Sequence, residues 1–330
     1  MNRMAAPENI LLIRLKSIGD VLLTLPSVNA VRANFPDAKI TFLTSAENAS
    51  LLRGFREVNE VITLNRAVLR GGNPLKAAAE IFRLLQKLRA GKFSRVVDFQ
   101  GYGETAWLTR LTGAPQRWGV VYSTGRSWAY TRRVARVEKI HPANGNLEML
   151  RQCGLNLGVV QNEFALPADV LTAAQRFFAE QKLLPDRPTL FLQPFTSSPH
   201  KNWPLENFIA LARQWQSHGG QVIFGGGPAD REKLQSAAAA GFPISAGVPL
   251  LVTGGLMKLA TLVVGGDTGA VHLAVALGRR VVMLMTSLTP GSPHPFGQPD
   301  WTVIAQNNLG VPGISLATVS AACKRALDSR

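Results

Sequence analysis

The chain has 330 residues, 46% of them apolar and 17% charged, which suits two domains of about 150 residues and is too long for one ordinary core. Its net charge of +15 lies mostly in the first half, where residues 1–165 carry 23 Lys/Arg against 12 Asp/Glu. No run reaches the ~18 uninterrupted apolar residues of a membrane span, and the opening MNRMAAPENI lacks the apolar stretch of a secretion signal, so a soluble cytoplasmic protein is expected.

Apolar runs of strand length alternate with helical patterns from end to end. Ile10–Leu15, Ile40–Thr44, Val61–Leu64 and Val96–Phe99 read as strands, with helices near Asp20–Asn34, Leu75–Ala90 and Glu104–Thr112. Pro167, Pro185 and Pro188 flank a helical segment that reads as the break, so residues 166–187 are expected to be a linker. Beyond it, strands are predicted at Thr189–Gln193, Gln221–Phe224, Thr261–Val264 and Val281–Met285. Helices are predicted near Leu205–Gln216, Ala229–Ala239 and Ala270–Ala276, with a last one at Leu316–Leu327. Such alternation implies parallel sheets wrapped by helices, here two Rossmann-like domains at residues 1–165 and 188–314. Ligands of open α/β sheets bind beyond the carboxyl ends of the strands, so the loops after each strand are where chemistry is sought.

The basic first half suits nucleic acid, an anionic membrane surface or a phosphorylated substrate, and a plain solvated surface remains open beside them. The two cysteines, Cys153 and Cys323, stand far apart, which fits reduced thiols. The five histidines form no i, i+4 pair, so no protein-held metal or other cofactor is expected.

Five loops could carry chemistry. In "RLKSIGDVLLTLP", Lys16, Ser17, Gly19 and Asp20 form the turn after the first strand. Asp20 is either a helix-starting cap or a base kept ionised by the nearby Lys16. In "VGGDTGAVHLAVALG", Asp267-Thr268-Gly269 opens a helix whose first N–H groups and dipole form an anion site. There Gly265 and Gly266 would let a pyrophosphate approach, and His272 could lean on the same ligand. In "QPFTSSPHKNWPLENF", Lys201 precedes a helix start, where a cation is favoured only if an anion joins it. "FGGGPADREK", containing Gly226, is a glycine-rich turn that allows a nucleotide close. "QGYGETA", Gln100 to Ala106, matches G-x-G-x-x-A but lacks the ribose-holding acid about 20 residues on. The segment Arg117–Lys139 sets Trp118, Trp128 and Tyr130 among Arg117, Arg126, Arg132 and Arg133, a composition that could stack bases or grip phosphates. There is no Asp-x-Asp to bridge a metal to a diphosphate, and no G-x-x-x-x-G-K-[ST] phosphate loop.

Taken together, "LKSIGDVLLTLP", "DFQGYGETAWLTRLTGAPQRWG", "KNWPLENFIALA", "VIFGGGPAD" and "VVGGDTGAVHLAVALG" resemble the glycosyltransferase family 9 enzymes, the ADP-heptose:lipopolysaccharide heptosyltransferases, over nearly the whole chain. The resemblance implies a GT-B fold: two Rossmann-like domains with parallel sheets facing across a cleft, and a C-terminal helix, 315–330, crossing back to the first. It implies inverting, metal-independent transfer of heptose from ADP-heptose to an anionic lipopolysaccharide inner core, carrying Kdo or heptose, at the cytoplasmic face of the inner membrane. Position by position, Asp20 matches the proposed general base and Lys201 the lysine on the donor phosphates. Asp267 matches the acid on the heptose hydroxyls, Thr268 and Gly269 the backbone donors to the diphosphate, and His272 the motif histidine. Gly226 is placed with the donor set. Lys16, Ser17, Arg117, Arg126, Arg132 and Arg133 are placed with the acceptor.

Two stretches depart from the family pattern. Gly266 stands where a polar residue is usual, and "MTSLTP", Met285 to Pro290, replaces the usual Phe-Gly-Pro-Thr-Asp-Pro. A different nucleotide-sugar donor therefore stays open. A nucleotide-dependent oxidoreductase using Gly101–Ala106 and a basic nucleic-acid-binding protein are the rivals from other classes.

Overall fold

The structure is a computed structural model and describes residues 8–122, 124–289, 291–306 and 309–328. The chain divides into two compact units, residues 1–163 and 164–330.

The first unit holds six strands: β1 (Asn9–Ile13), β2 (Lys39–Ser45), β3 (Glu60–Leu64), β4 (Arg95–Asp98), β5 (Gln116–Val121) and β6 (Arg132–Ala135). They pair in parallel in the order β3-β2-β1-β4-β5-β6. The second unit holds β7 (Thr189–Gln193), β8 (Gln221–Phe224), β9 (Leu262–Gly266), β10 (Val281–Met285) and β11 (Thr302–Ile304), parallel in the order β11-β10-β9-β7-β8. The central strands are buried on both faces, which is why they read as continuous apolar runs and not as alternation.

Alternate side chains still sort to opposite faces. In the second sheet Leu190, Leu192, Leu262, Val264, Val282 and Leu284 pack under the helices Leu205–Ser217 and Leu316–Asp328. Phe191, Val263, Val281 and Met283 point the other way, under the helices Ala168–Glu180, Leu250–Leu259 and Gly269–Ala276. In the first unit one face of β1, β2 and β3 is covered by Leu84 and Leu88 of the helix Pro74–Ala90.

Two boundaries are corrected. Residues 166–187 are not a linker, because the helix Ala168–Glu180 buries Ala174 and Phe178 in the second core. The last helix belongs to the second unit as well: Val319, Ala322, Cys323 and Ala326 lie against β9 and β10, which overturns its assignment to the first domain. Residues 329–330 of that segment lie outside the described residues. Predicted helix 20–34 is split into Ile18–Leu22 and Leu25–Asn34, with Pro26 in the opening turn of the second. Predicted helix 229–239 is two short 3-10 turns and a single helix, Gln235–Ala239. The structure adds β5, β6, β11 and the helices Pro142–Gln152 and Leu250–Leu259.

The helix Leu250–Leu259 crosses Ala168–Glu180 through Gly255, where an added Cβ would stand 2.7 Å from Ala174 Cβ and 3.3 Å from the Val170 carbonyl. A larger residue there trades a gain in helix propensity of under ~1 kcal/mol for overpacking of about 1–3 kcal/mol. Gly255→Val should therefore lower stability by roughly 2 kcal/mol, read as a drop in the urea midpoint. An unchanged midpoint would show that the two helices can part freely.

Candidate active site

Each sheet reverses its direction of growth once. In the first, strands are added from β1 through β2 to β3, and then β4 returns to the other side of β1. In the second, β8 lies on one side of β7, while β9, β10 and β11 lie on the other. Such a reversal parts the loops at the carboxyl edge and leaves a crevice, at β1/β4 and at β7/β9.

At the first crevice Arg14 follows β1, and its guanidinium joins three groups. Nη2 pairs with Asp20 Oδ1 at 2.8 Å, Nη1 donates to the Phe99 carbonyl at 2.8 Å and Nε donates to the Lys16 carbonyl at 3.1 Å. The other Asp20 oxygen accepts from the Ser17 backbone N–H at 2.9 Å and from its hydroxyl at 3.1 Å. Ser17 is thus the helix cap, and Asp20 sits three residues in, reaching back to it. The Asp20 side chain stays 37% exposed. The cation held against it is Arg14 and not the expected Lys16, which is exposed.

The loop carrying Asp20 is itself held from β4. Gln100 Oε1 accepts the N–H groups of Leu15 and Lys16 at 2.9 and 3.3 Å. Its backbone N–H and that of Gly101 donate to Asp98 Oδ1 at 2.9 and 3.0 Å, and the Tyr130 hydroxyl donates to Oδ2 at 2.7 Å. Asp98 is fully buried, and burial pushes its carboxyl above the usual range against the pull of these donors. Burial and the Asp98 carboxylate together push the Tyr130 hydroxyl up.

This network settles the Gly101–Ala106 motif. Gly101 has φ +65°, and a Cβ there would run into the Val120 carbonyl and the Tyr122 ring. Two N–H groups of the turn are already spent on Asp98, so they hold a tight turn in place of a dinucleotide.

The basic segment divides in the same way. Trp118 and Tyr130 are core residues, with Arg95 set over the Phe35 and Trp118 rings at 4.3 Å from each centroid. Arg117 donates to the carbonyls of Ala129 and Ala114 from a position level with Val96, below the carboxyl edge. Arg132 donates to the Cys153 carbonyl at 2.6 Å. Arg126 reaches the Gly101 carbonyl at 3.3 Å, on the loop after β4, and Arg133 is exposed on β6. Of the four arginines placed with an acceptor, Arg126 is the one bonded to the crevice loops.

At the second crevice the loop after β7 meets the turn after β9. Lys201 Nζ donates to Asp267 Oδ2 at 3.1 Å, and His272 Nε2 stands 3.2 Å from Oδ1. Lys201 is 40% exposed, so an ammonium with three N–H groups keeps donors beyond Asp267. His272 is buried and faces the carboxylate, so it acts through Asp267. Burial alone would raise the Asp267 carboxyl, but His272 and Lys201 outweigh it and hold the group below its usual range.

Thr268 caps the helix Gly269–Ala276, and its hydroxyl takes the Ala270 N–H at 3.3 Å. This occupies the Ala270 N–H and leaves those of Thr268 and Gly269 at the open helix end. Gly265 and Gly266 do not open space for a ligand. A Cβ on Gly265 would meet the Gln193 carbonyl at 2.8 Å, and one on Gly266 would meet Thr196 Cγ2 at 2.6 Å. They let the Lys201 loop lie against β9. Gly226 is buried too, with Asp230, Leu234 and Ala246 where its side chain would be. Thr286–Thr289 follow β10 and are exposed, while Pro290 lies outside the described residues.

Among the described residues no three His, Cys, Asp or Glu side chains gather where they could hold a metal ion, and no helix is long and apolar enough to cross a membrane. Cys153 and Cys323 are buried free thiols, pushed up by burial to about 11 and about 12. Sequence reasoning missed Arg14, Asp98 and Gln100. The available signal was an Asp closing a strand with glycine three residues later, the pattern of a side-chain-closed turn.

The sequence model of glycosyltransferase family 9 (heptosyltransferase) matches residues 81–310. The chain belongs to glycosyltransferase family 9. This family 9 chain is accordingly a glycosyltransferase. It is 27% identical over 299 residues to lipopolysaccharide heptosyltransferase 1 of Pseudomonas aeruginosa, covering 88% of this chain and 81% of that one. It superposes on a family 9 glycosyl transferase from Veillonella parvula with TM-score 0.88 at 20% identity, over 98% of both chains. With Escherichia coli heptosyltransferase WaaC, solved with ADP-2-deoxy-2-fluoro heptose, the TM-score is 0.78 at 21% identity, over 96% of this chain and 99% of that one. The fold expectation is met: two Rossmann-like, parallel-sheet units of the GT-B class.

Because its partners hold Asp267 below the ordinary carboxylate value, the stability it contributes is fully present above its unfolded pKa of ~3.9 and is lost as pH falls through the lower folded value. Asp267→Asn should lower the urea midpoint at about pH 6, and the two proteins should converge as pH falls through the lowered folded value. Equal midpoints at both pH values would show that the ion pairs contribute nothing to stability.

Proposed function

We propose that this chain moves heptose from ADP-L-glycero-D-manno-heptose to a lipopolysaccharide inner-core acceptor, Kdo or heptose, by an inverting, metal-independent displacement. The observation that carries the reading is the Lys201–Asp267 bridge beside the open end of the helix Gly269–Ala276, at the reversal point of the second sheet. Its support from outside the chain is the family itself and relatives named for lipopolysaccharide heptosyl transfer.

Asp20 is the base. Its carboxylate takes the proton of the acceptor hydroxyl as that oxygen attacks the anomeric carbon on the face opposite the leaving group. Arg14 and Ser17 fix the carboxylate so that its orientation need not be found during reaction. As the anomeric C–O bond breaks, negative charge grows on the departing ADP. The Lys201 ammonium and the N–H groups of Thr268 and Gly269 meet that charge, the work a metal does in other transferases. Asp267, oriented by His272 and Lys201, accepts hydrogen bonds from sugar hydroxyls. Arg126, Lys16 and Ser17 meet an anionic acceptor, which is presented at the cytoplasmic face of the inner membrane.

Asp20→Ala should leave the ADP-heptose dissociation constant within about twofold while kcat falls roughly 10²-fold or more. Turnover near wild type in that variant removes Asp20 as the base. Lys201→Ala should weaken donor binding about tenfold, the worth of one charge-assisted contact, measured by calorimetry. A thermal-shift panel gives the donor: ADP-heptose should stabilise the protein where GDP- and UDP-sugars do not. Stabilisation by one of those instead would assign a different donor.

A further inference from the structure

The helix Pro74–Ala90 is apolar on two sides. Leu84 and Leu88 face the core. On the opposite side, one helical turn apart or nearly so, stand Leu75, Ala78, Ala79 and Phe82, all exposed, with Leu75 at 81% and Phe82 at 62%. An outward face of this kind has no place on an ordinary surface helix, which turns charge to water. Beyond the end of the stripe Arg89 borders a shallow depression with Arg110 and the exposed pair Trp107 and Trp128, whose tilted rings have centroids 4.4 Å apart.

The charge around this face has one sign. From Arg66 to Lys92 there are seven Lys/Arg and a single acid, Glu80, which is tied to Arg83 at 2.6 Å. Glu104, on the neighbouring helix, is tied to Arg66 at 3.0 Å. Apolar side chains projecting outward, exposed tryptophans beside them and long cations at the rim are what an anionic lipid surface binds. The hydrocarbon stems lie along the acyl boundary and the charged heads reach the phosphates.

We propose that this face, centred on Leu75 and Phe82 and rimmed by Lys76, Lys87 and Arg89, docks the protein on an anionic bilayer. The helix follows β3 and so starts at the carboxyl edge of the first sheet, the edge that carries Asp20. Leu75 and Lys76, in the first turn of the helix, are the part of the face nearest that edge. The inference deepens the membrane-face part of the proposed function and rests on it for its purpose, but its test needs no turnover.

The full chain is sedimented with vesicles of phosphatidylethanolamine and phosphatidylglycerol, and separately with phosphatidylcholine vesicles. Wild type should partition onto the anionic vesicles at least tenfold more strongly than onto the neutral ones. L75E/F82E and K76E/R89E should each lose that binding tenfold or more, with melting temperatures unchanged because the residues are exposed. Transfer to a soluble, lipid-free acceptor should be unaffected in both, so a failure of docking and a failure of the heptosyl reading give different results. Wild-type failure to bind anionic vesicles, or equal binding by L75E/F82E, overturns the proposal. So does a wild-type dimer that L75E/F82E dissolves, which would give the face to a second copy of this chain.

Discussion

The reversal of strand order in each parallel sheet is the constraint on which the chemistry depends. A parallel strand can be reached only by a crossover, and once crossovers leave in both directions from a central strand, the loops above it must part. Both crevices are crossed by polar side chains. Over the first, Arg14 and Gln100 join the loop after β1 to the loop after β4. Over the second, Lys201 and Asp267 join the loop after β7 to the turn after β9. The same topology that opens each gap also sets the distance that a side chain must bridge: Asp267 is held by Lys201 from the neighbouring loop, while Asp20 is held within its own loop by Arg14 and Ser17.

Close approach is the second theme, and glycine is its means. Gly119 lets the Tyr130 ring come against β5, which brings the phenol to Asp98. Gly266 lets Thr196 settle on β9, which brings Lys201 to Asp267. In both places the missing side chain is occupied by protein. The glycines of the second unit act by letting one loop reach the residues of another.

Much of this was legible in the sequence, and the misses share physical causes. The buried central strands announced themselves because burial on both faces leaves little but Val, Ile, Leu and Phe. β5 and β6 did not, since Arg117, Gly119, Arg132 and Arg133 interrupt any apolar run. The helix Leu250–Leu259 was hidden by Gly254 and Gly255, which read as breakers and serve as contact points. Asp20, Lys201, Asp267 and His272 were singled out through the strand-to-loop pattern, and Asp267 bonds both Lys201 and His272. Arg14 was not found, because nothing in a linear string says that a residue six positions earlier folds back on an acid.

Trp203 carries one more consequence. It is buried two residues after Lys201, stacks edge-on against Phe208 and donates its indole N–H to the Ile314 carbonyl at 2.7 Å, just ahead of the last helix. Lys201 and the final helix therefore share an anchor. Fraying of that helix would take away the partner of the Trp203 indole, so the order of the Lys201 loop is tied to a segment more than a hundred residues further along the chain.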